Sequence, residues 1–206
     1  MTVTIGLTGG IGCGKSAVGA ILRELGAEYI DTDHLVHELL GPGGALVGVI
    51  DARFGPEVRA ANGGIDRARL GAIVFASPAD LRDLEALVHP AVRAEVRRRL
   101  AASRAPAFVV DAIKLIESGT YRDLDYLWVV TCDPATQRRR LGESRGMSVA
   151  DAEARIAAQP PQKSRLPLAD EVIENDGSLV DLRQKVVAAW ERTVGPAASG
   201  RPALLP

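Results

Sequence analysis

Residues 9–16 read GGIGCGKS, and this stretch decides the fold. It matches the pattern G-x-x-x-x-G-K-[ST] of a phosphate-binding loop, in which glycines let backbone N–H groups turn inward around phosphates. An apolar run over residues 3–8 predicts a strand before the loop. Apolar residues at helical spacing predict a helix from Gly14 or Lys15 to Leu25 after it. A glycine-rich turn with a chance lysine is the alternative, but strand, loop and helix in this order are the context that the motif requires.

Four further apolar runs, at residues 28–30, 107–110, 126–131 and 171–173, alternate with helix-like segments. This alternation predicts an α/β fold of the P-loop NTPase type, a parallel five-stranded sheet flanked by helices. We expect one domain over residues 1–194 with its core at about 1–33 and 104–194. We also expect a helical insertion over the ligand edge of the sheet at residues 34–103. An Arg-rich lid is expected at residues 134–161, and a flexible tail at residues 195–206.

Composition narrows the class of protein. The chain has 206 residues, 47% of them hydrophobic, and 25 basic against 26 acidic side chains leave a net charge of -1. A near-neutral chain does not gather nucleic acid or anionic lipid, so an anionic ligand must be bound locally. Cys13 and Cys132 lie far apart without paired-ligand spacing, which argues against a disulfide framework or a zinc site. We expect a reduced, cytoplasmic protein without a membrane span, a monomer or weak homo-oligomer.

Candidate catalytic side chains follow predicted strands. In a P-loop, the lysine, here Lys15, reaches the β- and γ-phosphates of ATP, and the hydroxyl of Ser16 binds Mg²⁺. Asp31 and Asp33 follow the second strand on a shared face, so one carboxylate can accept a proton from an acceptor hydroxyl while another orients hydrated Mg²⁺. Alternatively, Asp33 caps a helix that starts at His34.

Further candidates come later in the chain. Asp111 ends the strand 107–110, where P-loop proteins place an acidic residue near Mg²⁺. The lid segment carries four arginines that can stabilise a transferring phosphoryl group, namely Arg138, Arg139, Arg140 and Arg145. Alternatively, at least two of the four belong to a solvated charge run. Residues 175–178, Asn-Asp-Gly-Ser, follow the last strand and open a helix. A plain turn without a binding role would show the same sequence pattern.

These segments together are similar to a known family. The runs LTGGIGCGKSAV, LGAEYIDTDHLVHELL, RFGPE, LVHPAV, ESGTYRDLDYLWVV, RIAAQPP and ADEVIENDGS resemble bacterial dephospho-CoA kinases, in the same order, from about residue 3 to 190. The resemblance implies transfer of the ATP γ-phosphate to the ribose 3′-hydroxyl of dephospho-CoA, with a CoA-facing helical domain. It implies that Asp33 is the catalytic base and that Lys15 and Arg140 are also catalytic residues. The implied metal-binding residues are Ser16, Asp33 and Asp111. The implied nucleotide-binding residues are Gly10, Ile11, Gly12, Cys13, Gly14, Lys15, Ser16, Ala17, Arg140 and Asn175.

The chain departs from the family at two places. Residues 111–117 read DAIKLIE where relatives read D-x-P-L-L-x-E, so Lys114 either contacts an acceptor phosphate or is solvated. Ala17 stands where threonine is usual. Another nucleoside or nucleotide kinase is the alternative within enzymes. A GTP-dependent switch is disfavoured because no N-K-x-D guanine signature follows a strand, and a nucleic-acid ATPase is disfavoured by the near-neutral charge.

Overall fold

The computed structural model describes residues 2–195. Its sheet has five strands in the order β2-β3-β1-β4-β5, and β1 pairs in parallel with β3 and β4, as β4 does with β5. All five predicted strands are present within one residue of their predicted ends. They are Val3–Gly9 (β1), Glu28–Asp31 (β2), Ala107–Asp111 (β3), Tyr126–Thr131 (β4) and Glu171–Glu174 (β5).

Eight α-helices lie within the described residues. They are Lys15–Glu24 (α1), Thr32–Leu40 (α2), Val47–Phe54 (α3), Arg67–Ala76 (α4), Pro78–Ala102 (α5), Pro134–Arg145 (α6), Val149–Ala157 (α7) and Leu179–Thr193 (α8). Short 3-10 helices cover Pro56–Val58, Thr120–Asp123, Gln162–Ser164 and Leu166–Leu168. The predicted α/β fold with a parallel five-stranded sheet is confirmed. None of the helices in residues 2–195 combines the length and apolarity needed to cross a bilayer.

The central strands are buried because helices cover both faces of the sheet. Strands β1, β3 and β4 are therefore buried along nearly their whole length, and β3 and β4 are near-continuous apolar runs. Helices α1 and α8 contribute their apolar stripes to the same core, as Leu22 and Val186 illustrate. This packing fixes the carboxyl ends of β1, β3 and β4, from which the candidate site residues extend.

The chain forms two compact units. One comprises Ile30–Ala102, and the other comprises the described residues on either side of it. The unit of residues 30–102 has its own core of residues such as Leu40, Ile50 and Phe54. It is helical, as predicted, with one isolated antiparallel bridge between Arg59 and Ile65. Its role as an acceptor-binding insertion stays a prediction, and the tail predicted at 195–206 lies outside the described residues except for Gly195.

Candidate active site

The loop between β1 and α1 has the curled backbone that phosphate binding requires. Gly12 and Gly14 have φ values of 77° and 88°, which side-chain-bearing residues rarely adopt. Gly14 is also the N-cap of α1, and a Cβ there would collide with the amide of Asn175. The loop therefore requires glycine at this position, and it presents N–H groups at a helix N-terminus, where the helix dipole favours an anion.

Lys15 is held by a carboxylate at the end of the neighbouring strand. Its Nζ forms an ion pair with Oδ1 of Asp111, and the hydroxyl of Tyr29 donates to Oδ2 of the same carboxylate. Asp111 is 3% exposed and Lys15 is 19% exposed. The structure thus brings together two predicted residues, Lys15 and Asp111, and adds Tyr29, which the sequence did not indicate. The ammonium group is fixed beside the loop and remains accessible.

Oxygen donors suited to Mg²⁺ lie on α1 and β3, the elements that also carry Lys15 and its carboxylate partner. Ser16 is exposed in the first turn of α1, and Asp111 ends β3. Among residues 2–195, no group of three or more His, Cys, Asp or Glu side chains is arranged to hold a metal ion. A hydroxyl with few carboxylates fits Mg²⁺, which keeps several waters and is bound largely through substrate phosphates.

Arg140 and Asn175 both reach the loop. The side-chain amide of Asn175 donates to the carbonyl of Cys13 at 2.9 Å, and Nη2 of Arg140 donates to Oδ1 of Asn175 at 3.4 Å. Nη1 of Arg140 is buried and has no hydrogen-bond partner within the described part of the chain. A Cβ on Gly14 would lie 3.6 Å from this nitrogen, so the guanidinium group lies against the loop.

The remaining lid arginines differ from Arg140. Arg138, Arg139 and Arg145 are exposed on α6, and Arg139 pairs with Glu143 one helical turn later. This agrees with the prediction that at least two of the four arginines form a solvated charge run. Helix α6 has Asp133 as its N-cap and Pro134 at its first position.

Three glutamines that the sequence reasoning missed bind the loop and its surroundings. Gln159 accepts the N–H of Ile11 at 2.9 Å, and Nε2 of Gln137 donates to the carbonyl of Ile11 at 2.5 Å. Gln162 donates to Gln137 at 3.2 Å and to the carbonyl of Cys132 at 3.1 Å. The N–H and the carbonyl of Ile11 are therefore both held by side chains of the predicted lid.

The two cysteines are neighbours in space. Sγ of Cys132 lies 3.2 Å from Sγ of Cys13, both thiols are free, and both residues are buried. The S–H of Cys132 lowers the pKa of Cys13 below its ordinary value, helped by N–H groups of Cys132 and Gly10 and by the charge of Arg140, although burial opposes the shift. The same contact and burial raise the pKa of Cys132. Their separation in sequence gave no sign of this contact, which arises because β1 and β4 are adjacent strands and bring the two thiols together.

Asp31 and Asp33 lie at the start of α2, in the unit of residues 30–102. The carboxylate of Asp31 accepts the N–H of Asp33 at 2.9 Å and that of His34 at 3.1 Å, so Asp31 is the N-cap. The alternative that Asp33 caps a helix starting at His34 is therefore wrong, since α2 already begins at Thr32. Asp33 lies in the first turn, two residues after β2, which neighbours β3 in the sheet.

The atypical loop after Asp111 is anchored at several points. The N–H of Ala112 donates to the carbonyl of Leu7 at 3.2 Å, and the hydroxyl of Thr8 donates to the carbonyl of Ile113 at 3.3 Å. Leu115 is buried, whereas Lys114 is exposed. The loop thus has a fixed path along the end of β1 that directs the side chain of Lys114 towards solvent.

Comparison with known proteins is consistent with this geometry. The family model described as dephospho-CoA kinase matches residues 3–181. The chain belongs to the dephospho-CoA kinase family. It is 48% identical over 194 residues to a dephospho-CoA kinase of Symbiobacterium thermophilum, covering 93% of this chain and 81% of that protein.

Two solved structures are also similar. A dephospho-CoA kinase from Campylobacter jejuni has a TM-score of 0.70 and 28% identity, covering 94% of this chain and 98% of that chain. The protein TT1252 from Thermus thermophilus has a TM-score of 0.79 and 34% identity, covering 91% and 95%. The resemblance to dephospho-CoA kinases noted in the sequence is thus confirmed over more than nine-tenths of this chain.

Proposed function

We propose that this protein transfers the γ-phosphate of ATP to the ribose 3′-hydroxyl of dephospho-CoA, giving coenzyme A and ADP, the last step of coenzyme A biosynthesis. The observation that carries the proposal is the loop at residues 9–16, with Lys15 fixed by Asp111 and Arg140 against Gly14, in a chain of this family. A phosphate-binding loop alone suits many nucleotide-binding proteins. The family match selects a kinase with dephospho-CoA as acceptor.

On the donor side, the groups at the loop are positively charged or donate hydrogen bonds. The N–H groups of the loop and the N-terminus of α1 hold the phosphates, and the ammonium group of Lys15 neutralises charge on the β- and γ-phosphates. The unpartnered Nη1 of Arg140 is supplied with an acceptor when a phosphoryl oxygen lies beside the loop. Asn175 bonds to both Arg140 and the carbonyl of Cys13, which supports a role for the end of β5 in nucleotide binding.

Mg²⁺ is the metal that this donor set fits. The hydroxyl of Ser16 and the carboxylates of Asp111 and Asp33 are the residues we propose to hold it, partly through water. When bound, Mg²⁺ neutralises charge on the β- and γ-phosphate oxygens. Asp111 also holds Lys15, so one buried carboxylate would serve both the ammonium group and the metal ion.

On the acceptor side, Asp33 is the proposed catalytic base. Its carboxylate accepts the proton of the 3′-hydroxyl as the oxygen attacks phosphorus, and ADP departs on the opposite side. Its position is supported by the cap that Asp31 provides, which fixes the first turn of α2. We assign acceptor selection to the helical unit of residues 30–102, and contact with an acceptor phosphate to exposed Lys114.

Replacing Arg140 by alanine is expected to lower kcat/KM for ATP by about 10- to 100-fold, because the guanidinium group at the loop is lost. Arg139→Ala is the matched control, since that exposed side chain pairs only with Glu143 within the described residues. Initial rates at varied ATP concentrations distinguish the two variants. Equal losses in both would contradict the assignment of Arg140.

A comparison of acceptors tests the proposal directly. Purified protein with ATP and Mg²⁺ is assayed for ADP release with dephospho-CoA, adenosine or AMP, and the product is analysed by mass spectrometry for a 3′-phosphate. Dephospho-CoA is expected to give a kcat/KM at least about 100-fold above the others, because only it carries the groups that the helical unit selects. Equal rates with AMP would refute the acceptor assignment.

The proposed setting is the cytoplasm, where ATP is the phosphoryl donor and thiols stay reduced. We propose a monomer or weak homo-oligomer that acts on small molecules and has neither a nucleic-acid nor a membrane partner. The net charge of -1 supports this, because such partners require a local excess of basic side chains.

A further inference from the structure

We propose that Cys13 and Cys132 form a reversible oxidation site for hydrogen peroxide, and that the disulfide formed there disables the phosphate-binding loop. Cys13 lies in the loop between Gly12 and Gly14, and Cys132 is the residue after β4. The proposal requires the loop to bind ATP, but it does not depend on which acceptor the enzyme uses.

Proximity is the first support. The two sulfur atoms lie 3.2 Å apart, whereas a disulfide needs about 2.05 Å, so an approach of about 1.1 Å completes the bond. Both cysteines belong to the same buried cluster, Cys132 directly after strand β4 and Cys13 between two loop glycines with positive φ values. Because Cys132 is continuous with a paired strand, we expect the loop to be the part that moves when the bond forms.

The surroundings of the two sulfurs favour a thiolate at Cys13. Its neighbours include the S–H of Cys132, N–H groups of Gly10 and Cys132, and the guanidinium group of Arg140, all of which stabilise negative charge on sulfur. The thiolate is the form of cysteine that reacts with peroxide. Gln162, whose Oε1 lies 3.5 Å from Sγ of Cys13, comes from the segment after the lid and contributes to the burial of the pair. Because both thiols are buried, we expect peroxide to reach them when this segment moves away from the loop.

The chemistry balances with peroxide as the only co-reactant. The thiolate of Cys13 attacks one peroxide oxygen, the O–O bond breaks, and the departing hydroxide takes a proton to become water. The sulfur of Cys132 then attacks the sulfenic acid on Cys13, the S–S bond forms, and the hydroxyl group leaves as a second water with the Cys132 proton. The two thiols lose two electrons, and peroxide is reduced to two waters.

The expected consequence is a loop that no longer fits the phosphates. Drawing Sγ of Cys13 towards β4 moves the Cys13 and Gly14 peptides, and the carbonyl of Cys13 is also the acceptor for Asn175. The N–H groups that face the phosphate turn away together with this carbonyl. ATP binding is lost before any step that involves the acceptor.

The test uses the full chain treated with hydrogen peroxide and then quenched with an alkylating agent in denaturant. Intact mass identifies the disulfide as a loss of about 2 Da with neither cysteine alkylated. Binding of a fluorescent ATP analogue is measured on the same samples before and after dithiothreitol. Cys132→Ser is the matched variant, because it keeps Cys13 and the loop while removing the second sulfur, and Cys132→Ala replaces it if the serine variant does not fold.

We expect the wild-type protein to form the disulfide, lose at least about 10-fold in ATP-analogue affinity and recover with dithiothreitol. The Cys132 variant is expected to bind normally when reduced and to show no 2 Da loss. The proposal is overturned if both thiols remain alkylatable while binding falls, if the disulfide forms with binding unchanged, or if the Cys132 variant shows the same reversible loss. Failure of dephospho-CoA as acceptor would leave each of these readouts unaffected.

Discussion

Lys15→Ala is expected to lower kcat by about 10²- to 10³-fold, the cost of removing one charged donor that acts on a developing phosphoryl charge. The loop's N–H groups remain in this variant, so nucleotide binding weakens less than turnover falls. Steady-state kinetics with ATP and dephospho-CoA separate the two effects. Arg139→Ala, which removes an exposed basic side chain from α6, is the control and is expected to leave both parameters unchanged.

The same substitution has a structural effect. Asp111 is nearly inaccessible and loses its ion-pair partner, although the hydroxyl of Tyr29 remains. Leaving such a group incompletely paired costs about 1–3 kcal/mol, so denaturant unfolding is expected to show that decrease in free energy of unfolding. A stable Lys15→Ala protein with wild-type turnover would rule out the role assigned to the lysine.

Asp33→Asn is expected to lower kcat by about 10²- to 10⁴-fold, because an amide cannot accept the proton of the attacking hydroxyl. The amide is nearly isosteric with the carboxylate, and Asp33 is not the cap of α2. Circular dichroism and the unfolding midpoint are therefore expected to stay close to wild type. Single-turnover kinetics at saturating ATP isolate the chemical step.

Asp31→Asn is the matched control two residues earlier. Asparagine serves as an N-cap about as well as aspartate, so α2 keeps its start at Thr32. If Asp33 is the base, this variant retains most of the activity. If Asp31→Asn instead loses orders of magnitude while Asp33→Asn turns over normally, the base is assigned to the wrong aspartate of the pair.

The fold was readable from the sequence because its signals are local. Each buried strand is a short apolar run with helical spacing on either side, and the strand ends were predicted within one residue. The loop at residues 9–16 is equally local, since Gly12 and Gly14 are required by their own backbone conformations. Asp111 and Asn175 were found because each directly follows or ends a strand, where parallel sheets collect their site residues.

The contacts that were missed join residues distant in sequence. Gln137 lies in no motif, the run RIAAQPP that contains Gln159 indicates no role for its glutamine, and only the folded chain places both amides at Ile11. Cys13 and Cys132 are separated by 119 positions, and their approach depends on β1 and β4 being adjacent. The cap alternative named Asp33 rather than Asp31 because both aspartates lie at the start of α2, and the sequence does not decide which of them is the cap.

The hydrogen bonds from Gln137 and Gln159 of the lid to Ile11 are expected to affect the turnover rate. These hydrogen bonds join protein to protein, so they stabilise the covered loop whatever nucleotide lies beneath it. We expect the Gln137 and Gln159 contacts to break before ADP leaves and to form again after ATP enters. Contacts that hold the loop closed are therefore also expected to slow product release, as lid opening does in many enzymes.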